Sequence, residues 1–202
     1  MRLQVQYKLI KYPSVLSVIT ACLVVFSLVL MSIDVRAAEK PRKPTVENDM
    51  FRLTLMPRTP DQMAGFYEGR GFPAPALKLI KQACFITTVF HNKSNRVIWL
   101  ELSNWRIVTS QGEVKRLGQG YWKAQWQRIH LPQAYQATFG WTLLPEVRDL
   151  QPHEPVGGNL VLPPLNEPFT LKAYFVTGKN KRGTGINVEF HDIRCARDNK
   201  SS

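Results

Sequence analysis

The chain has 202 residues, with 27 Lys and Arg against 15 Asp and Glu, and a formal net charge of +12. This length is enough for one ordinary domain with a hydrophobic core. The positive charge favours anionic partners such as acidic lipid, lipopolysaccharide or polyanionic glycan. Nucleic acid is disfavoured as a partner by the export signal that opens the chain.

Residues 1–37 are expected to form a targeting segment, either a cleaved signal peptide or a retained signal anchor. The segment starts with three basic residues, Arg2, Lys8 and Lys11. The apolar run VLSVITACLVVFSLVLM follows at residues 15–31 and is close to the lower length limit for crossing a bilayer. Val35 and Ala37 give the small-residue spacing that signal peptidase recognises. We therefore expect export to the periplasm, with release by cleavage or anchoring to the inner membrane by residues 15–33.

The remainder of the chain is expected to form one domain between two segments without regular structure. Residues 38–49 (AEKPRKPTVEND) combine charges and prolines without apolar periodicity, which predicts an extended linker. Residues 50–196 are assigned to a single β-sandwich domain, and residues 197–202 to a disordered tail.

Two cysteines, Cys84 and Cys195, belong to the exported part of the chain. An even number of cysteines in an oxidising compartment predicts a disulfide between them. The alternative is two buried thiols at separate places.

Strand patterns separated by Gly, Asn and Pro turns dominate the chain from residue 51 onward. FRLTLMPR (51–58) alternates apolar and polar residues, and CFITTVFH (84–91) is β-branched and aromatic. Further strands are predicted in RVIWLEL, WRIVTS, EVKRL, TFGWTLL (138–144), GNLVLP (158–163), FTLKAYFVTG (169–178) and GINVEFHDIRC (185–195). This pattern predicts a mainly β, immunoglobulin-like two-sheet sandwich, because the alternating long helices of a parallel sheet are missing.

Two helical insertions interrupt the strand pattern. Residues 59–82 predict a helical hairpin, because Thr59 is a suitable N-cap, Pro60 suits the first helical position and Gln62 completes a capping box. Trp122, Trp126 and Ile129 recur at helical spacing and predict a short helical segment near residues 120–130.

The hairpin has two interpretations. In the first, four apolar side chains cap the open end of the sandwich: Met63, Phe66, Leu77 and Ile80. In the second, Tyr67, Arg70 and Phe72 form an exposed corner that recognises a partner, since insertions at the ends of sandwiches commonly carry contacts.

Two stretches resemble exported immunoglobulin-like accessory modules of the DUF4352 type. The first, CFITTVFHNKSNRVIWLEL, is a strand, an Asn-x-Ser turn and a strand. In the second, DLQPHEPVGGNLVLP, a Pro-x-Glu turn precedes Gly-Gly and a short apolar strand. The resemblance covers residues 84–190 and is architectural, and the helical hairpin and the YWKAQW segment depart from it. It implies a sandwich in the cell envelope and no catalytic residues.

Motifs for catalysis, metal or cofactor binding are weak in this sequence. Gly-x-Ser-x-Gly and His-Glu-x-x-His are missing, so we expect no enzyme and no cofactor. We also expect no metal site, because the four histidines show no ligand spacing on one element: His91, His130, His153 and His191.

These observations predict a non-enzymatic envelope accessory module that binds another envelope protein. The contact candidates are Tyr67, Arg70 and Phe72, followed by Trp122 and Trp126. The alternative is a cell-wall or surface glycan-binding module, in which Trp122 and Trp126 stack on sugar rings.

Overall fold

The computed structural model of the protein describes residues 43–198. The predictions for the targeting segment 1–37 and the anchor 15–33 fall outside these residues, as do the first part of the linker and the last residues of the tail. Within residues 43–198, none of the helices has the length and apolar character needed to cross a membrane.

In this described part of the chain, ten strands form two antiparallel sheets. The first sheet has the order β1 (Thr45–Glu47), β2 (Phe51–Arg58), β3 (Cys84–Asn92) and β8 (Pro155–Leu162). The second has the order β6 (Gly112–Val114), β5 (Arg106–Thr109), β9 (Phe169–Thr177), β4 (Ile98–Glu101) and β7 (Val147–Leu150), with β10 (Gly185–Ile193) paired to β9. The mainly β, two-sheet sandwich predicted from the sequence is therefore confirmed.

Four α-helices and two short 3-10 segments complete the fold within residues 43–198. The helices are α1 (Pro60–Glu68), α2 (Ala74–Lys81), α3 (Gln119–Arg128) and α4 (Gln133–Thr142), and the 3-10 segments are Leu102–Asn104 and Lys179–Lys181. Thr59 and Gln62 form the predicted capping box at the start of α1, where the Gln62 amide nitrogen donates to Thr59 Oγ1 at 3.2 Å. The helical hairpin and the short helix near residues 120–130 agree with the sequence prediction.

The predicted strand at residues 138–144 is wrong, because most of this segment belongs to α4. Phe139 and Trp141 would share one face of a strand. In a helix they lie about 200° apart around the axis, given 3.6 residues per turn. Phe139 is accordingly 1% exposed and Trp141 is 84% exposed.

Both segments that flank the predicted domain take part in the fold where the structure describes them. Strand β1 lies inside the expected linker and pairs with β2, with Val46 opposite Leu53. In the expected tail, Asp198 accepts a hydrogen bond from the Asp61 amide nitrogen at 3.1 Å.

The main core lies between the two sheets. Alternate residues of β2 point into it, and Phe51, Leu53 and Leu55 are at most 1% exposed. The predicted disulfide is confirmed: Cys84 at the start of β3 bonds to Cys195, which follows β10, with their Cα atoms 5.5 Å apart.

A second core covers the outer face of the four-stranded sheet. Phe85 of β3 and Val161 of β8 point away from the sandwich and pack against side chains from all four helices. The hairpin therefore covers a sheet face and does not cap the open end of the sandwich. The outer face needs this cover because an exposed apolar sheet face is unfavourable in water.

Candidate binding surface around Trp141

Tyr67 and Phe72 do not form the exposed corner predicted from the sequence. Tyr67 is 0% exposed and Phe72 is 4% exposed, with their ring centroids 4.9 Å apart. Gly71 adopts φ 78°, and the Phe72 amide nitrogen donates to the Tyr67 carbonyl at 3.2 Å. This tight turn directs Phe72 back into the second core, and glycine permits it because it lacks a Cβ atom.

Arg70 lies on the surface, as expected. Its guanidinium lies 3.5 Å from the Phe66 ring centroid, and its Nη1 donates to the Phe66 carbonyl at 2.7 Å. Arg70 thereby covers one face of a partly exposed aromatic ring through a cation–π contact.

Trp122 and Trp126 are buried and do not form an exposed aromatic platform. Each is 2% exposed, and their rings stack with centroids 4.9 Å apart. The four-residue spacing that predicted the helix also places both rings on the same helical face. That face packs on Phe139 and Phe85 in the second core.

Trp141 is the exposed aromatic residue that the sequence prediction missed. Its 84% exposure is the highest among the large hydrophobic side chains described in residues 43–198. Phe66, 38% exposed, and Val89, 36% exposed, lie along the same groove. The signal that could have found Trp141 is its two-residue offset from the apolar Phe139, once a helix is assumed there.

We call this groove the Trp141 groove. It has a volume of about 610 Å³ and lies between α1, α4 and the outer face of β2, β3 and β8. Its lining includes the side chains of Arg58, Met63, Phe66, Thr87, Trp141 and Asn159. A volume of this size is within the range of small-ligand and peptide side-chain sites.

Hydrogen bonds connect the three strands beneath the groove. Arg58 Nε of β2 donates to Thr87 Oγ1 of β3 at 3.1 Å. Thr87 Oγ1 donates in turn to Asn159 Oδ1 of β8 at 2.9 Å. Arg58 donates to Thr87 and Thr87 donates to Asn159, so all hydrogen bonds of this series run in the same direction. This series of hydrogen bonds holds the Arg58 side chain against the sheet.

Tyr67 extends this series of hydrogen bonds into the helical layer. Thr142 Oγ1 donates its single hydrogen to the Phe139 carbonyl at 2.7 Å, so Tyr67 must donate to Thr142 Oγ1 across their 2.6 Å contact. Burial raises the pKa of Tyr67 to about 12, while hydrogen bonds to Thr142 and Asn159 act in the opposite direction. Tyr67 is therefore neutral at physiological pH and works as a structural donor.

Trp141 also borders a second groove, between α3 and α4. This groove has a volume of about 640 Å³ and is lined by amide side chains, including Gln119, Gln133 and Gln136. Trp122 contributes to its wall, and the buried Trp122 Nε1 has no hydrogen-bond partner among residues 43–198.

Residues 43–198 contain no group of three or more His, Cys, Asp or Glu side chains arranged to hold a metal ion.

No family model matches the chain, and no curated protein matches it. Two solved structures are similar to it. The yjhA protein from Bacillus subtilis is 10% identical with a TM-score of 0.35, over 64% of this chain and 76% of that chain. A putative lipoprotein, ycdA, from Bacillus subtilis subsp. subtilis strain 168 is 7% identical with a TM-score of 0.37, over 75% of this chain and 39% of that chain. These values assign no family to the chain.

Proposed function

We propose that the protein is a non-enzymatic, exported module of the cell envelope that binds another envelope protein through the Trp141 groove. The observation that carries the proposal is the exposure of Trp141, 84%, at the rim of a groove that also exposes Phe66 and Val89. Tryptophan is among the residues most enriched at the energetic centres of protein interfaces. Contiguous exposed apolar side chains commonly mark such interfaces.

The lining of the groove favours binding over catalysis. Its one ionisable lining group among the described residues is Arg58, and arginine is not among the residues that ordinarily serve as general acids or bases. General acid–base catalysis uses a group that gains and loses a proton near the working pH.

Export is supported by the disulfide and by the start of the sequence. A disulfide such as Cys84–Cys195 persists in oxidising compartments, including the bacterial periplasm. The basic start and the apolar run at residues 15–31 provide the export signal, with either cleavage or retention as an anchor. The two-sheet architecture supports the proposal of an envelope accessory module of the DUF4352 type.

Glycan binding is the second candidate, and the groove between α3 and α4 favours it. Trp141 stands beside the amide side chains of Gln119, Gln133 and Gln136 in that groove. An aromatic face bordered by amides suits a sugar ring, which presents apolar C–H groups and hydroxyls. In this version Trp141 takes the role that the sequence predicted for Trp122 and Trp126.

The test is Trp141→Ala in a tagged protein that is cross-linked in cells, followed by mass spectrometry of the captured proteins. The matched control is Tyr174→Ala, since Tyr174 is a partly exposed aromatic residue on β9 in the other sheet. We expect one dominant envelope protein with the wild type and the control, and its loss with Trp141→Ala. The stability of Trp141→Ala should stay within about 0.5 kcal/mol of the wild type, because the side chain is exposed.

Equal capture by all three proteins would contradict the proposal. Quenching of tryptophan fluorescence by added cell-wall polysaccharide, lost in Trp141→Ala, would instead support the glycan-binding candidate.

A further inference from the structure

Arg58 is an arginine without a carboxylate partner among residues 43–198. Four other arginines of the described residues do pair with a glutamate: Arg52, Arg106, Arg116 and Arg148, with Arg52 2.7 Å from Glu47. Arg58 instead donates to the Thr87 hydroxyl and, through Nη2, faces the Met56 sulfur at 3.8 Å. A thioether is a weak acceptor, so most of the five donors of this guanidinium are left for another group.

The surroundings of Arg58 add no compensating negative charge. Within the described part of the chain, no Asp or Glu lines the Trp141 groove. The acidic residues of α1, Asp61 and Glu68, line a different groove, between α1 and α2. Lys81 also neutralises Asp61 across a 2.5 Å ion pair.

The position of Arg58 is fixed before any ligand arrives. The chain from Arg58 through Thr87 to Asn159 crosses three strands, and Asn159 is only 8% exposed. A guanidinium that is already oriented loses less conformational entropy on binding than a mobile surface lysine would.

The rest of the groove offers apolar surface next to this positive charge. Met63 is 5% exposed and Phe66 and Trp141 form two aromatic walls. A ligand that matches both features needs an anionic group and an aromatic or aliphatic group a short distance apart. A planar carboxylate suits the guanidinium because two parallel N–H donors meet its two oxygens.

We infer that the Trp141 groove binds an extended segment of a partner protein in which an Asp or Glu side chain lies next to an aromatic or aliphatic residue. The carboxylate pairs with Arg58, and the neighbouring side chain packs between Phe66 and Trp141. This inference rests on the proposed function and specifies the chemistry of the partner.

The test is a selection of displayed random 12-residue peptides on the purified, full exported protein, with Trp141→Ala as the counter-selection. We expect the enriched peptides to share an acidic residue within two positions of an aromatic or aliphatic one. Replacing that Asp or Glu by Asn or Gln should weaken binding about 10-fold, as should Arg58→Gln. The two changes together should weaken it no further, because they remove the same contact.

Arg52→Gln is the matched control, since Arg52 lies on the same strand and the same outer face as Arg58 but pairs with Glu47 outside the groove. It should leave peptide binding unchanged. Urea unfolding should show that Arg58→Gln and Arg52→Gln both remain folded.

Three results would overturn the inference. These are enriched peptides without an acidic residue, no enrichment over Trp141→Ala, and an acidic peptide that binds Arg58→Gln as tightly as the wild type. The inference would also be overturned if the protein bound phosphatidylglycerol vesicles through Arg58 but bound no peptide. The anionic group that Arg58 recognises would then be a lipid phosphate.

The inference and the proposed function fail separately. If partner capture in cells is lost in Trp141→Ala but unchanged in Arg58→Gln, the proposed function stands and the predicted carboxylate contact with Arg58 is refuted. If partner capture is unchanged in Trp141→Ala, the proposed function itself is refuted.

Discussion

The hydroxyl of Tyr67 joins the helical layer to the four-stranded sheet. The ring is fully buried and stacks on Phe139 with a centroid distance of 5.3 Å. Its hydroxyl meets Thr142 Oγ1 at 2.6 Å on α4 and interacts with the side chain of Asn159 on β8, which acts to lower the pKa of Tyr67. A buried hydroxyl without partners would cost about 1–3 kcal/mol, so these two contacts allow a tyrosine to occupy the centre of the second core.

The burial of Tyr67 predicts a stability loss at alkaline pH. Its pKa rises from 10.0 in the unfolded chain to about 12 in the folded protein. The folded state therefore favours the neutral phenol, and this contribution is complete below pH 10 and is lost as the pH rises through 12. The shift corresponds to about 2–3 kcal/mol.

Urea unfolding of the wild type and of Tyr67→Phe, from about pH 9 to about pH 11.5, checks this loss. Over that range the unfolding free energy of the wild type should fall by about 2 kcal/mol more than that of Tyr67→Phe. Tyr174→Phe, at a partly exposed tyrosine, should follow the wild type. Parallel pH profiles for the wild type and Tyr67→Phe would contradict the prediction.

At the scale of elements, the link between α4 and β7 crosses the edge of β8 at Gly158. The Leu144 amide nitrogen donates to the Asn159 carbonyl at 3.1 Å, and a Cβ atom added to Gly158 would lie 2.4 Å from the Leu144 nitrogen. Such a distance is an overlap with backbone, which cannot move aside like a flexible side chain. Gly158 therefore sets how closely α4, and with it Trp141, approaches the sheet.

Gly158→Ala is expected to lower the free energy of unfolding by about 1–3 kcal/mol, the usual cost of forcing extra volume into a packed site. Gly157→Ala is the matched control, because its Cβ atom would meet Thr88 and Val89 only at 3.6 and 3.7 Å. Chemical denaturation of both variants tests the difference. Equal stability of the two would show that the backbone crossing is more adaptable than its geometry suggests.

Elements with strong local signals could be predicted from the sequence. Thr59, Pro60 and Gln62 fix the start of α1 within four residues, and the alternation in residues 51–58 fixes β2. The apolar residues of segment 138–144 fit both the strand and the helix period, so a strand was predicted there. Only packing on Phe85 and Val161 selects helix α4.

The exposure of individual aromatic residues could not be predicted in the same way. Whether Tyr67 points to solvent or to a core depends on the sheet face that the hairpin covers, which is a property of the tertiary structure. For the same reason, the exposure of Trp141 was not predicted, because the residue was assigned to a strand. The disulfide was predictable because it needed only the compartment and the number of cysteines.

At the scale of the whole molecule, the end of the domain is tied to both cores. Cys195 bonds to Cys84 at the start of β3, three residues before Asp198 accepts a hydrogen bond from the first turn of α1. The disulfide also closes a long loop, since its cysteines are separated by 111 residues. Most of the sandwich, together with α3 and α4, lies inside this loop.

Removing the disulfide should therefore destabilise the whole domain. Loop-closure entropy for a loop of this length gives about 4–5 kcal/mol, because the bond restricts the unfolded chain. The double variant Cys84→Ala with Cys195→Ala should lose this amount in urea unfolding, and so should the wild type unfolded under reducing conditions. A loss below about 2 kcal/mol in both cases would contradict the entropic account. Since such a loss is comparable to the total stability of many domains, we expect the reduced protein to be largely unfolded at 37 °C and to lose partner capture at the Trp141 groove.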